Sequence, residues 1–179
     1  NVLLAAMQMV KNKNIKLDVY SSTQVYGDAF KEANDDKWVP LYKQASELPN
    51  VNYIGYRPNE FILDNLQNYH IFAYPSIWEE TSCISAIECM SAGLYSIVTN
   101  YGALYETCSE FPIYVQYLED YKLLAKSFAT AIDIAANTLH LDVIQDNLDM
   151  QQDFYRRFYS WEKQAGTWSN FLRGVTNVK

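Results

Sequence analysis

The chain has 179 residues and a formal net charge of −7, with Lys and Arg scattered rather than clustered. This length suits one compact domain and is too short for two full α/β domains. The charge argues against nucleic-acid binding, because phosphate backbones are bound by clustered basic side chains. No run approaches the ~20 apolar residues of a membrane span. The three cysteines match no zinc spacing and predict reduced thiols in a cytosolic protein.

Five short runs predict the strands of a parallel sheet. They are rich in β-branched or aromatic residues, are bounded by Pro, Gly or Asn, and are typical of strands buried on both faces. They begin at Ile15, Asn50, Tyr69, Leu94 and Phe111, and span residues 15–22, 50–56, 69–76, 94–100 and 111–117.

Helical patterns alternate with these strands. Asn59 is a plausible cap for one helix, and Gly93 is expected to end another. The predicted helices between the strands span residues 1–11, 38–48, 59–68 and 84–92. Alternation at this spacing predicts βαβ units, and therefore an α/β fold with a Rossmann-like parallel sheet flanked by helices.

After Tyr117 the pattern is helical only. Helices are predicted over residues 119–139, 142–159 and 160–175, with Ser160 as the cap of the last. This tail either covers one face of the sheet or reaches away to another domain. The chain opens inside a helix, whereas a doubly wound domain normally begins with a strand. We therefore expect residues 1–179 to be a single domain, cut from a longer protein, whose first strand is missing.

An acidic turn, WEETSC, joins the strand that begins at Tyr69 to the helix 84–92. Ser82 is expected to cap that helix, and the amides of Cys83 and Ile84 are expected to face a phosphate. Ionised carboxylates suit hydroxyl donors such as those of a sugar or ribose. Alternatively, Glu79 and Glu80 merely interact with the helix dipole. The Cys83 thiol is interpreted as a packing group, since no base lies near it in the sequence.

Glu88 and Gly102 extend this region along the chain. Glu88 shares a helix face with Ile84, so it is either a ligand-binding acid or an ordinary surface residue. Gly102 permits a tight turn with positive φ after the next strand, which brings Glu106 near the same end of the sheet. Ligands of open α/β sheets bind beyond the carboxyl ends of the strands, where these groups are predicted to lie.

The segment from Pro75 carries a longer signature, PSIWEETSCISAIECMSAGLYSIVT followed by GALYE. It resembles the carboxyl-terminal domain of retaining glycosyltransferases of family 4, which have the GT-B fold. Their signature is a Pro-Ser strand end, an acid, seven residues, a Glu, then Ala/Cys-Met-Ala/Ser-x-Gly and an apolar strand. Here the two acids are Glu80 and Glu88. The closing YSWEKQAGTWSNFL, from Tyr159, also resembles the last helix of that family.

The resemblance implies transfer of a sugar from a nucleotide diphosphate sugar to an acceptor, with retention of the anomeric configuration. Two Rossmann-like domains face each other in such enzymes, and the donor binds mainly to the second. This chain would be that second domain, inactive without its amino-terminal partner domain. Glu80 would accept hydrogen bonds from hydroxyls of the donor sugar, and Glu88 would hold the ribose.

Further contacts follow from the same resemblance. The amides near Ser82, Cys83 and Ile84 would meet the sugar and the diphosphate, and Tyr56 and Arg57 would contact the base. No metal or other cofactor is implied, because helix amides and basic side chains neutralise the diphosphate. The basic groups of the family lie in the missing first strand and loop. No catalytic residue is assigned, and the acceptor stays unknown.

The chain departs from the family pattern at two places. Ser82 and Cys83 stand where many members carry Phe-Gly, and Glu79 beside Glu80 leaves the first acid ambiguous by one position. Two alternatives to a transferase stay open: a non-catalytic nucleotide or sugar-binding module, and another GT-B enzyme such as an epimerase. The predicted location is the cytoplasm, with any membrane contact made through the missing half.

Overall fold

The structure is a computed structural model that describes residues 1–176, apart from the side chain of Asp35. Strands and helices alternate as the sequence predicts. The strands are β1 (Leu17–Val19), β2 (Val51–Tyr53), β3 (Ile71–Tyr74), β4 (Tyr95–Asn100) and β5 (Ile113–Gln116). The helices are α1 (Val2–Met9), α2 (Asp28–Glu47), α3 (Asn59–Asn65), α4 (Ile84–Ser91), α5 (Leu104–Cys108), α6 (Tyr121–Thr138), α7 (Asp142–Phe158) and α8 (Trp161–Thr176).

All five predicted strands are confirmed, each shorter than its apolar run. The largest error in the helices concerns α2, which begins at Asp28 rather than at Trp38 and continues through Pro40. A proline inside a helix removes one backbone donor, and such residues usually mark a boundary. Helix α3 begins as predicted but has Pro58, not Asn59, at its cap position. Ser160 is confirmed as a cap, because its hydroxyl accepts a hydrogen bond from the Lys163 amide.

All strand pairs are parallel, but they form two sheets. β1 pairs with β2, and β3, β4 and β5 pair in that order. The expected burial on both faces holds for β4, whose residues are buried up to Thr99. It is wrong for β1, β2 and β3, where no residue is fully buried and Asn52 is exposed. Each of these strands is at the edge of its sheet and has a hydrogen-bonded neighbour strand on one side only.

The two faces of β4 belong to two different cores. Ile97 packs in a cluster with residues of α1 and α6, among them Phe128. Val98 packs on the opposite face with residues of α4, α5 and α7, among them Met90 and Tyr155. Alternate residues of a strand point to opposite faces, so a continuous apolar run supplies both layers.

The helical tail divides into two parts with different roles. α7 packs against α4 and contributes Tyr155 to the core. α8 has no buried residue and leaves Trp161 and Trp168 exposed. Of the two predicted arrangements of the tail, α7 follows the first and covers the sheet, and α8 follows the second and extends away from it.

Candidate functional site

Two turns lie side by side at the carboxyl edge of the β3–β5 sheet. The acidic turn follows β3, and the glycine turn at Gly102 follows β4. The Thr99 hydroxyl donates a hydrogen bond to the Ser76 carbonyl at 2.8 Å, and the Ala103 amide donates to the Glu80 carbonyl at 2.7 Å. The acidic turn is therefore fastened to the neighbouring turn through its backbone.

Gly102 makes this close approach geometrically feasible. Its φ is +57°, which confirms the predicted positive φ. A Cβ at this position would lie 2.6 Å from the Glu80 amide nitrogen and 2.9 Å from the Glu79 carbonyl carbon. Neither backbone atom can move without displacing the acidic turn. The absence of a side chain at Gly102 therefore lets the acidic turn lie this close, in addition to permitting the positive φ of Gly102 itself.

The two adjacent acids occupy different environments. Glu80 is half-buried, and its Oε1 accepts hydrogen bonds from the Tyr74 hydroxyl at 2.6 Å and the Ser76 hydroxyl at 3.3 Å. Its other oxygen, Oε2, has no hydrogen-bond partner among the described residues. Glu79 is exposed, and its nearest donor is the Tyr101 hydroxyl at 3.5 Å. Only Glu80 is held in one orientation with an oxygen to spare.

The amino terminus of α4 lies directly after this turn. Cys83 is the N-cap, and no side chain caps the helix, so the expectation that Ser82 does so is wrong. Ser82 is exposed instead. The amides of Cys83 and Ile84 have no hydrogen-bond partner in the described part of the chain. Free amides at a helix amino terminus attract anions.

The Cys83 side chain is buried against the core rather than open to ligand. Burial raises the pKa of the Cys83 thiol; amides of the first turn, such as that of Ala86, oppose this rise and the charge of Glu80 adds to it. The thiol is therefore neutral at pH 7, as the packing interpretation predicts.

Glu88 lies one turn further along α4, on the face that carries Ile84. It is half-buried, and its Oε1 accepts a hydrogen bond from the Asn59 side-chain amide at 3.1 Å. Ile84 is 70% exposed, so this face of α4 is open to solvent. Asn59 connects Glu88 to the segment that follows β2, which contains Tyr56 and Arg57. Both of those side chains are exposed.

Arg57 is oriented by its own segment. Its Nη1 donates to the Tyr56 carbonyl at 2.7 Å, and its guanidinium lies 5.9 Å from the centre of the Phe61 ring. A cation over an aromatic face at this distance is favourable, although weak when exposed. No acidic side chain pairs with Arg57 among the described residues, so its charge is available to a ligand.

The structure therefore groups most of the predicted site residues around α4. The contacts of Tyr74, Ser76 and Asn59 with the two acids were not predicted from the sequence. Tyr74 and Ser76 could have been found, because polar residues at the carboxyl end of a parallel strand indicate a site. No sequence pattern indicates the hydrogen bond between Asn59 and Glu88, which are far apart in the chain. Glu106, on α5 directly after the glycine turn, is exposed.

Two general findings concern the described residues 1–176. No group of three or more His, Cys, Asp or Glu side chains there is placed to hold a metal ion. None of the helices in that range combines the length and the apolar character needed to cross a membrane.

Comparison with known proteins assigns the chain to a class. The family model described as "Glycosyl transferases group 1" matches residues 1–138, and the chain belongs to that family. A search of curated protein sequences found no match. The predicted membership of a glycosyltransferase family is thus confirmed, whereas the narrower family 4 and the retaining chemistry stay predictions.

Two solved structures share the fold. A glycosyltransferase from Rickettsia africae ESF-5 has a TM-score of 0.75 and 16% identity, covering 99% of this chain and 44% of that one. A sucrose-phosphate synthase from Thermosynechococcus elongatus has a TM-score of 0.72 and 19% identity, covering 99% of this chain and 42% of that one. The chain spans less than half the length of either, and the predicted Rossmann-like fold is confirmed.

Proposed function

We propose that this chain is the donor-binding domain of a retaining glycosyltransferase of the GT-B type. The complete enzyme would transfer a sugar from a nucleotide diphosphate sugar to an acceptor. A second domain of the same polypeptide would supply the acceptor site, and this domain alone would be inactive. Family membership supports the transferase class, and the arrangement around α4 supports the type of donor.

The observation that carries the proposal is the pair of oriented carboxylates on either side of the α4 amino terminus. Tyr74 and Ser76 hold one oxygen of Glu80 and leave Oε2 to accept a sugar hydroxyl. Asn59 holds one oxygen of Glu88, and the other is left for a ribose hydroxyl. Carboxylates accept hydrogen bonds only, so they recognise hydroxyl groups and repel bare phosphate.

The diphosphate would lie between the two acids, at the free amides of Cys83 and Ile84. These amides and the α4 dipole stabilise negative charge as the sugar–phosphate bond breaks and the nucleoside diphosphate departs. Exposed Arg57 adds a positive charge, and Tyr56 offers a ring for the base. We expect basic groups from the rest of the polypeptide to complete the neutralisation, without a metal ion.

A thermal-shift screen of the complete polypeptide against UDP, GDP and ADP sugars tests the donor. Ligands that bind only the folded state raise the melting temperature. We expect one base and one sugar to stand out. If none of these compounds raises the melting temperature, the donor-binding proposal is wrong.

Isosteric variants then test the acids individually. Glu80→Gln and Glu88→Gln keep the shape and remove the charge, and each is expected to lose about 2 kcal/mol of transition-state stabilisation, roughly 30-fold in kcat/KM. Glu79→Gln is the matched control, since it changes the adjacent, exposed acid. Equal losses in Glu79→Gln and Glu80→Gln would contradict the assignment of Glu80. Binding of the donor without transfer in the unmodified protein would favour a non-catalytic module.

Product analysis tests the finer parts of the proposal. The anomeric configuration of the product, read by NMR, is expected to match that of the donor. Activity is expected to survive chelation of divalent metals. We place the enzyme in the cytoplasm, which the three free cysteines among the described residues support. An inverted product would refute retention without affecting the donor assignment.

A further inference from the structure

Trp78 presents a large aromatic surface to solvent within the candidate site. It is 76% exposed and lies in the acidic turn, two residues before Glu80. A tryptophan ring left in water costs free energy that a ligand covering the ring recovers. Single exposed apolar residues are ordinary on protein surfaces. The case for a binding role therefore depends on how the ring is held and on what surrounds it.

The backbone that carries Trp78 is fixed in place. The Trp78 amide donates to the Ser76 hydroxyl at 3.3 Å, and the Trp78 carbonyl accepts from the Glu80 amide at 2.9 Å. Ser76 is itself buried, and its carbonyl accepts from the Thr99 hydroxyl of β4. A ring on a fixed backbone loses less conformational entropy on binding than a ring on a mobile loop. Trp78 is therefore pre-organised for contact with a ligand.

A stacked pair of tyrosines lies beside the same turn. The ring centres of Tyr101 and Tyr117 are 4.1 Å apart, with 13° between the ring planes. Tyr117 packs against the core that contains α6, and the Tyr101 hydroxyl lies 3.5 Å from Glu79 Oε1. Tyr117 thus anchors the pair to the core, and Tyr101 reaches the turn that carries Trp78. Each of the three strands β3, β4 and β5 is followed by one of these aromatic residues.

The charge of the same three loops is negative only. The loops that join β3, β4 and β5 to the following helices are residues 75–83, 101–103 and 117–120. They contain no Lys or Arg, and their acids are Glu79, Glu80, Glu119 and Asp120. Beyond the helix amides of α4, these loops offer no group that holds an anion, and their carboxylates repel one.

A neutral sugar fits this combination of aromatic rings and carboxylates. The C–H groups of a sugar ring are attracted to the electron-rich face of an aromatic ring, and its hydroxyls hydrogen bond with nearby carboxylates, tyrosine hydroxyls and water. A phosphorylated ligand would meet no basic side chain in the three loops. A lipid chain would take water away from the carboxylates without replacing their hydrogen bonds, which is costly.

Position relative to the donor indicates the role of this sugar. Transfer needs an acceptor hydroxyl within about 3–3.5 Å of the anomeric carbon of the donor sugar, and that sugar is assigned to Glu80. A ring that lies on Trp78 is next to it. We propose that Trp78 is the stacking residue of an acceptor subsite, and that the acceptor is a neutral sugar rather than a phosphorylated or lipid compound. This inference rests on the proposed donor site at Glu80.

Saturation-transfer-difference NMR on the complete polypeptide tests the class of acceptor. The probes are the methyl α-glycosides of glucose, galactose and mannose, with glucose 6-phosphate as the charged counterpart. We expect at least one glycoside to bind with a Kd of about 1–10 mM and glucose 6-phosphate to bind at least tenfold more weakly. Binding of none of the three glycosides, or tighter binding of glucose 6-phosphate, would overturn the inference.

Three substitutions separate ring stacking from apolar packing. Trp78→Tyr keeps an aromatic face, Trp78→Leu keeps apolar bulk without a ring, and Trp161→Ala removes another exposed tryptophan, on α8, as a control. We expect the glycoside Kd to rise about fivefold or more in Trp78→Leu and to stay within about twofold in Trp78→Tyr and Trp161→Ala. Equal Kd values in Trp78→Leu and Trp78→Tyr would exclude stacking. A lower melting temperature in Trp78→Leu with unchanged glycoside binding would assign the ring to a protein contact and also overturn the inference.

The donor proposal and this inference can fail separately. The melting shift produced by a nucleotide sugar reports the donor site and is expected to survive Trp78→Leu, because Glu80 and Glu88 are unchanged. A melting shift without any glycoside binding would refute the acceptor subsite alone. Glycoside binding that depends on Trp78, without any melting shift from a nucleotide sugar, would describe a sugar-binding module, which refutes both the donor site and the acceptor role.

Discussion

The β1–β2 pair and the β3–β5 sheet differ in how deeply they are buried. β4 is buried on both faces, and the helices around it fill two separate cores. β1 and β2 contain no fully buried residue, and α2 is exposed along most of its length. The more buried part holds Glu80 and Glu88, and the other holds Tyr56 and Arg57. The proposed sugar and ribose contacts therefore lie on the more buried part, and the proposed base contacts on the less buried one.

Matched glycine substitutions give the largest expected contrast between the two parts. Gly102→Ala forces a Cβ to within 2.6 Å of the Glu80 amide nitrogen, whereas Gly55→Ala, also at positive φ, meets nothing closer than the Tyr53 hydroxyl oxygen at 3.9 Å. We expect Gly102→Ala to lower the free energy of unfolding by about 3 kcal/mol and Gly55→Ala by about 1 kcal/mol. Denaturant unfolding measures both. Equal losses of unfolding free energy in the two variants would mean that the acidic turn moves aside at little energetic cost.

The same glycine pair separates stability from binding. Gly102→Ala displaces the turn that carries Glu80, so donor affinity is expected to fall about tenfold or more, on the scale of a lost charge-assisted hydrogen bond. Gly55→Ala is expected to leave affinity within about twofold, since ~0.4 kcal/mol corresponds to that ratio. Isothermal titration of the complete polypeptide with its donor measures the difference.

Valine truncation compares the interiors of the two parts. Val98 in β4 is fully buried, and Val51 in β2 is only partly buried. Val98→Ala is expected to cost about 2 kcal/mol of unfolding free energy, from lost transfer energy and an unfilled cavity, and Val51→Ala less than about 1 kcal/mol. Chemical denaturation with unchanged m-values checks this. A larger cost at Val51 would show that the β1–β2 pair is better packed than its exposure indicates.

Two tyrosine hydroxyls offer a smaller contrast. Tyr155 donates to the Thr107 carbonyl at 2.6 Å inside the core, and Tyr53 donates to the Ser21 carbonyl at 2.8 Å near the surface. Tyr155→Phe leaves a buried carbonyl unpaired and is expected to cost about 1.5 kcal/mol, whereas water replaces the bond in Tyr53→Phe, at about 0.5 kcal/mol. Thermal unfolding of the two variants measures the gap. Equal destabilisation of the two variants would mean that a water molecule replaces the lost hydrogen bond to the Thr107 carbonyl.

The buried thiols give the smallest effect, and it depends on pH. Burial raises the pKa of Cys89 and of Cys108 from the ordinary 9.0 to about 12. Below pH 9 both states keep these protons, so the thiols leave stability unchanged with pH. Above pH 9 the unfolded thiols ionise first, and stability falls by about 1 kcal/mol per thiol at pH 10. Cys108→Ala is expected to reduce this fall, as urea titrations at pH 8 and pH 10 check. An identical fall in the variant would assign it to other groups.

The sequence predicts the alternation of elements because apolar runs and glycine stops are local signals. Gly93, at φ +86°, ends α4 as predicted. The sequence did not predict that β2 is exposed or that α2 is long. Both features depend on which neighbouring elements cover these segments. Within the site, the spacing of Glu80 and Glu88 predicts two acids near one helix. The partners that orient them, such as Asn59, come from distant segments that no local pattern reveals.

Helix α7 holds the ends of α4 and α5 that lie away from the candidate site. The Gln151 side-chain amide donates to the carbonyls of Met90 and Leu94, and Arg156 donates to the Ser91 carbonyl, so α7 secures the carboxyl end of α4. Through Tyr155 it does the same for α5. Both helices begin at the carboxyl edge of the β3–β5 sheet, and α7 contacts them at their other ends. We therefore expect a substitution in α7, such as Arg156→Ala, to alter the tilt of α4 and so the position of Glu88, acting from the end of that helix opposite the acidic turn.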